Sequence, residues 1–155
     1  MRLGARRVHL PRLTAWYGEP EATYVYSGIR NVPLPWTQDL LELRARIEAF
    51  AGAEFNSVLC NLYRGGQDSM GWHSDDEREM ASTIASLSLG AARTFQLRRK
   101  APPADLVSMR LPSGSLLLML GDTQRQWQHR VPKEAASGER INLTFRLVTS
   151  FTRAK

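Results

Sequence analysis

The chain has 155 residues, 43% of them apolar, with 21 Lys and Arg against 15 Asp and Glu for a formal charge of +6. That length suits one domain, read here as 1–155, and the composition excludes a disordered or fibrous chain. No apolar run approaches the ~18 residues of a membrane span, the N-terminus lacks the apolar stretch of a signal peptide, and the single cysteine, Cys60, cannot close an internal disulfide, so a soluble, intracellular, cytoplasmic protein is expected.

The opening MRLGARRVHLPRL holds Arg2, Arg6, Arg7 and Arg12 with little periodicity and reads as an arm or a short edge strand. Aromatics follow at Trp16, Tyr17, Tyr24 and Tyr26, the last two on one face of a strand. Thr37 is placed to cap a helix over Gln38–Ala51, where Leu40, Leu41, Ile47 and Phe50 recur near helical spacing and Gly52 stops it. Strands are then predicted at Ser57–Tyr63, Met70–His73, Thr83–Leu89, Thr94–Arg98, Leu106–Leu111, Ser115–Leu120, Gln126–Val131 and Arg140–Thr149, split by Gly, Pro and Ser turns that include Gly121-Asp122. Many short strands at close spacing predict a β-rich sandwich or barrel with one helix packed outside it.

His73 and Asp75 stand two apart, and on a strand such residues point the same way. With a second histidine they make the 2-His-1-carboxylate set of a non-haem Fe(II) oxygenase, although H-x-D alone is more often a solvated pair. His129 is the available partner, 56 residues on, and by itself reads as an ordinary strand histidine. In Arg140–Arg146 the alternation puts Ile141, Leu143 and Phe145 on one face and Arg140, Asn142, Thr144 and Arg146 on the other. Solvent is the simple destination for the polar face. If it looks into a barrel, its two arginines need anionic partners, and a dicarboxylate is such a partner. Asn61 and Tyr63 repeat the same spacing on an earlier strand.

Taken together, NLYRGGQDS, WHSDDERE, IASLSLGAARTF, WQHRVPKE and RINLTFR, in that order, resemble the AlkB-type Fe(II)- and 2-oxoglutarate-dependent dioxygenases, especially those that repair alkylated nucleic acid. The resemblance implies a double-stranded β-helix (jelly-roll) core, mainly β with a flanking helix. It implies iron ligands His73, Asp75 and His129. It assigns 2-oxoglutarate to Asn61, Tyr63, Arg140, Asn142 and Arg146, with O₂ as the oxidant. On the substrate side it implies that Tyr26 and His73 sandwich the base, that Tyr24 and Glu77 reach its edge beside Asp76, and that Arg12 stands at the pocket mouth. The activity implied is oxidative dealkylation of bases such as 1-methyladenine and 3-methylcytosine, releasing formaldehyde as 2-oxoglutarate becomes succinate and CO₂. Arg98, Arg99 and Lys100, with Arg6, Arg7 and Arg130, are read as phosphate contacts, against a solvated-surface alternative.

The family's longer N-terminal leader corresponds here to MRLGARRVHL, with Leu3-Gly4-Ala5 where an apolar finger could sit. A preference for single strands is the resulting expectation, and separately the protein is expected to be a monomer. Two other readings compete: a dioxygenase of the same fold acting on a protein or small molecule, and a non-catalytic nucleic-acid binder.

Overall fold

Residues Gln38–Ala51 form the helix α1, and its ends explain its limits. Thr37 Oγ1 accepts the Leu40 amide at 3.3 Å, while Gly52 adopts a left-handed conformation (φ 62°) and donates its N–H to Glu48. Leu40 and Ile47, two turns apart, form the buried stripe. Leu41 and Phe50 are 38% and 74% exposed, contrary to the periodicity reading. They sit roughly 80–100° round the helix from that stripe, so the apolar spacing was wider than the face that packs.

Residues 2–3, 6–7, 11–26 and 29–149 are described by a computed structural model, with residues 2, 3, 6, 7, 25, 26 and 29 described through their backbone alone. The ring of Tyr26, the side chains of Leu3, Arg6 and Arg7, and residues 4, 5 and 9 lie outside the described residues, together with the expectations that rest on them. Two short pairs stand apart from the main sheets, β1 (Arg2–Leu3) with β2 (Arg6–Arg7) and β4 (Tyr24–Tyr26) with β5 (Ile29–Asn31).

The larger sheet contains β3 (Leu13–Gly18), β6 (Ser57–Tyr63), β8 (Ile84–Gly90), β11 (Leu116–Met119) and β13 (Arg140–Arg146), in the order β11-β8-β13-β6-β3. The smaller contains β7 (Met70–His73), β9 (Arg93–Arg99), β10 (Leu106–Leu111) and β12 (Trp127–Val131), in the order β10-β9-β12-β7. All pairings in these two sheets are antiparallel. Mostly antiparallel strands in two facing layers make the jelly-roll arrangement, with β3 and a short helix α2 (Thr123–Gln126) absent from the strand-by-strand reading of the sequence.

Two apolar cores follow from the alternation. On the outer face of the large sheet, Leu40 and Ile47 of α1 pack with Val58, Ala85, Leu87, Leu143 and Phe145. Between the sheets, Tyr63, Ile84, Phe95, Leu111, Met119 and Val131 form the second. Strand β13 is covered on both sides, so its polar row cannot be a solvent face. Arg140, Asn142, Thr144 and Arg146 are all buried. The strand stops at Arg146, where its partner β6 begins at Ser57, and does not continue to Thr149.

Gly90 ends β8 opposite Arg140. Its φ is 89°, and a Cβ there would meet the Glu139 carbonyl oxygen at 2.5 Å. Gly90→Ala is expected to cost at least about 1–2 kcal/mol from the left-handed backbone alone. Thermal unfolding should register this as a lowered midpoint, roughly 2–4 °C per kcal/mol.

Candidate functional site

β7 delivers His73 at its last residue and β12 sets His129 directly across from it. The two imidazoles are cross-strand neighbours with ring centroids 4.2 Å apart. Asp75 lies beyond the strand end, so strand alternation is not what brings the pair together. The irregular segment after the strand does it: Ser74 Oγ donates to the Trp127 carbonyl at 2.7 Å, and the Asp75 amide donates to Gln124 Oε1 at 2.9 Å.

His73 Nδ1 is 2.8 Å from the Gly71 carbonyl oxygen, which can only accept. The ring proton therefore sits on Nδ1 and leaves the lone pair on Nε2. That Nε2 is 3.8 Å from Asp75 Oδ1, and His129 Nε2 is 3.6 Å from Asp75 Oδ2. One donor atom from each of the three residues lies within 4.8 Å of the others, so the group could hold a metal ion. Arg146 Nη2 approaches Asp75 Oδ1 at 3.0 Å.

Burial acts on both kinds of ligand. It would raise the Asp75 carboxyl, but Arg146, His129 and His73 outweigh it and hold the carboxyl below the usual carboxylate range. For His129 burial wins over the attraction of Asp75, and its pKa falls to about 4. An ionised carboxylate and a neutral imidazole are the forms that bind a divalent metal.

Further along the same faces is a polar row built from three strands. Asn142 pairs in register with Asn61 on one side and Ser88 on the other, and Arg140 with Tyr63. Asn142 Nδ2 donates to Ser86 Oγ at 2.7 Å, Thr144 Oγ1 to Asn142 Oδ1 at 2.9 Å, and Arg140 Nη2 to Ser88 Oγ at 2.9 Å. Arg140 is 1% exposed, yet its Nε and Nη1 have no hydrogen-bond partner among the described residues. Its Cζ stands 5.1 Å from the Tyr63 ring centroid, and Arg93 stands 5.4 Å from the same ring. Burial lowers the Arg140 pKa from the ordinary guanidinium value. Leaving buried donors unmade costs about 1–3 kcal/mol each, more when charged, so this guanidinium could take an anion that the described residues do not provide.

A cavity of about 550 Å³ opens between the sheets at His73, Asp75 and His129. Arg12, Tyr24 and Glu77 line it with Asn61, Asn142 and Arg146, whereas Tyr63 and Arg140 lie one inward-facing position deeper. Arg12 Nε donates to Asn61 Oδ1 at 2.8 Å, and Tyr24 meets Trp16 edge-on at 5.4 Å. Glu77 Oε2 is buried and has no hydrogen-bond partner among the described residues. Asp76 is exposed, takes Lys100 Nζ at 3.0 Å and does not line the cavity. Arg98, Arg99 and Lys100 also lie off the lining.

Besides Ser86 and Ser88, two further residues not singled out in the sequence support this site. Arg93, fully buried, donates to the carbonyls of Gly65, Asp68 and Pro132 and closes the deep end of the row. Gln124, 4% exposed, holds the Asp75 amide. Gln124→Leu is expected to cost about 1–3 kcal/mol for the orphaned amide and to raise the Fe(II) concentration needed for half-maximal activity. An unchanged iron requirement in a destabilised variant would limit Gln124 to a folding role.

Comparison with known proteins agrees with this geometry. Residues 2–146 match the pattern of the 2OG-Fe(II) oxygenase superfamily. The chain is 52% identical over 150 residues to the alpha-ketoglutarate-dependent dioxygenase alkB homolog 3 of Rattus norvegicus, covering 89% of this chain and 50% of that protein. To the Homo sapiens protein of the same name it is 53% identical, covering 89% and 52%. It is 41% identical over 149 residues to the Homo sapiens DNA oxidative demethylase ALKBH2, covering 90% and 57%. The chain thus spans about half the length of the curated relatives it matches.

Proposed function

Because the chain belongs to the 2OG-Fe(II) oxygenase superfamily, and to its AlkB-type branch, we propose that residues 1–155 form one domain that acts as an oxidative dealkylase of nucleic-acid bases. The relatives' names support the reaction class, one of them naming DNA as the substrate. The observation within this chain that carries the reading is the pairing of two features between the sheets. The cavity is lined by the His73, Asp75 and His129 cluster, and one inward-facing position beyond its lining stands a buried arginine, Arg140, with donors unmet among the described residues.

In this reading His73 and His129 offer Nε2 and Asp75 its carboxylate to iron, with Arg146 and Gln124 fixing the carboxylate and its backbone. Arg140 receives the far carboxylate of 2-oxoglutarate as a bidentate partner, and Asn61, Tyr63 and Asn142 line the path between. Bound together, iron and 2-oxoglutarate supply O₂ activation coupled to decarboxylation, with hydroxylation of the N-methyl carbon and loss of formaldehyde. The remaining work falls to the protein, which must hold the methyl group beside the metal and the base out of its stack.

Arg12, Tyr24 and Glu77 supply the contacts to the base. Glu77 Oε2, without a partner among the described residues, is an acceptor for the exocyclic amino group of 1-methyladenine or 3-methylcytosine, both of which carry positive charge. Extracting a base from a duplex costs a few kcal/mol, and least from a strand already unpaired, so single strands are the proposed preferred form. Succinate formation from 2-oxoglutarate with Fe(II) should rise when a single strand containing 3-methylcytosine is added. A response no larger than that to the unmethylated strand would count against the substrate class.

A further inference from the structure

On its outer face the small sheet carries an arrangement that the chemistry above does not use. Trp72, on the edge strand β7, lines the cavity beside His73. Arg98 of β9 and Arg130 of β12 bring their Cζ atoms to 4.4 and 4.5 Å from the centroid of its ring. The inward positions of these strands are Phe95, Leu97, His129 and Val131, so the intervening Gln96, Arg98, Gln128 and Arg130 share the outward face.

What holds these arginines distinguishes them. Arg98 donates from Nε and Nη2 to Gln128 Oε1 at 3.0 and 2.7 Å, and Arg130 from Nε to Gln96 Oε1 at 2.7 Å. Both partners are neutral amides, and neither arginine has a carboxylate within ion-pair reach among the described residues. Their neighbours differ: Arg99 faces Asp105, Lys100 faces Asp76, and Arg110 faces Glu134. An amide orients a guanidinium without cancelling its charge, whereas a carboxylate does both. Stacking on an indole fixes the guanidinium plane and leaves its edge free to donate. Arg98 Nη1 and both Nη atoms of Arg130 have no partner among the described residues. The result is two oriented, uncancelled charges, carried by β9 and β12 and seated over Trp72 of the edge strand β7.

We propose that Arg98 and Arg130, seated on Trp72, form a phosphodiester-binding surface that continues from the cavity mouth over the outer face of the small sheet and holds the single strand flanking the modified base. This rests on the nucleic-acid reading above and narrows it. The run Arg98-Arg99-Lys100 does not act as one basic block, because two of its three charges are already met by carboxylates. Arg130, distant in sequence, takes their place.

The test is fluorescence anisotropy of a labelled, unmethylated single strand of about 15 nucleotides, comparable to the longest site sizes of single-strand binders, over a series of salt concentrations. Each phosphate neutralised on a single strand contributes about −0.7 to the slope of log affinity against log salt. Arg98→Gln and Arg130→Gln should each reduce the slope by about that amount and weaken binding most at low salt. Arg98→Lys should keep the slope. Arg125→Gln, which removes a charge already paired with Asp122, should also keep it. If the wild type binds the strand and both glutamine variants retain its slope, the surface is overturned while the proposed reaction stands. If the wild type binds no strand at any salt, both are overturned.

Discussion

His73→Ala is expected to abolish turnover while leaving the fold intact, and Asp75→Ala to abolish turnover and destabilise the fold as well. The two ligands differ in what else they do. His73 has a side chain 33% exposed and its Nδ1 hydrogen bond goes to the nearby Gly71 carbonyl. Asp75 is 8% exposed and neutralises Arg146, itself 8% exposed. Removing one partner of a buried pair costs about 3–5 kcal/mol because the other charge is left unmet. Changes to groups that merely orient a metal ligand already cost 10–100-fold, so loss of a ligand should exceed about 100-fold in either variant. Asp75→Asn separates the effects, since it keeps a hydrogen-bond acceptor for Arg146 while removing the anionic ligand. Formaldehyde release and thermal unfolding, measured on the same samples, check all three. Full activity in His73→Ala would sink the iron assignment.

Arg140→Met should act in opposite directions on stability and on cosubstrate binding. In the free protein two nitrogens of the guanidinium, Nε and Nη1, are buried without partners among the described residues, so an apolar side chain of similar length should leave stability unchanged or raise it. With 2-oxoglutarate the same donors acquire a carboxylate, a charge-assisted interaction of about 1.5–3 kcal/mol, which corresponds to roughly tenfold to a hundredfold in affinity. Wild-type protein should therefore be stabilised by 2-oxoglutarate, by about 2.7 kcal/mol at a hundred times the dissociation constant, and the variant by far less at that concentration. Equal stabilisation of both proteins would place the carboxylate elsewhere.

Several of these features could be read from the chain and several could not, for physical reasons. The alternation of Arg140, Asn142, Thr144 and Arg146 against Leu143 and Phe145 was plain, and so was the cap that starts α1. Whether the polar row met water or an interior depended on α1 covering the opposite face, which is a tertiary fact. Ser86 and Ser88 alternate with Leu87 and Leu89 in the same way, and that pattern could have marked them as partners of Asn142 and Arg140. Gln124 was hidden because α2 has four residues, too few for any period, and Gly121-Asp122 before it reads as a turn. Arg93 was not singled out, since in sequence it is one arginine just ahead of the strand predicted at Thr94–Arg98. The carbonyls of Gly65, Asp68 and Pro132, with Glu134 and the Tyr63 ring beside it, make its burial tolerable, and folding alone brings them together. The seat of Arg98 and Arg130 on Trp72 depended on sheet order, because β9, β12 and β7 are neighbours in space but not in sequence.

The most direct measurement is mass spectrometry of a short single-stranded oligonucleotide carrying one 1-methyladenine, incubated with the protein, Fe(II), 2-oxoglutarate and O₂. The expected result is an oligonucleotide lighter by one methyl group, formed only when iron and 2-oxoglutarate are both present and lost in His73→Ala. An oligonucleotide of unchanged mass, recovered while 2-oxoglutarate is converted to succinate in the same tube, would contradict the proposal that methylated bases are the substrate.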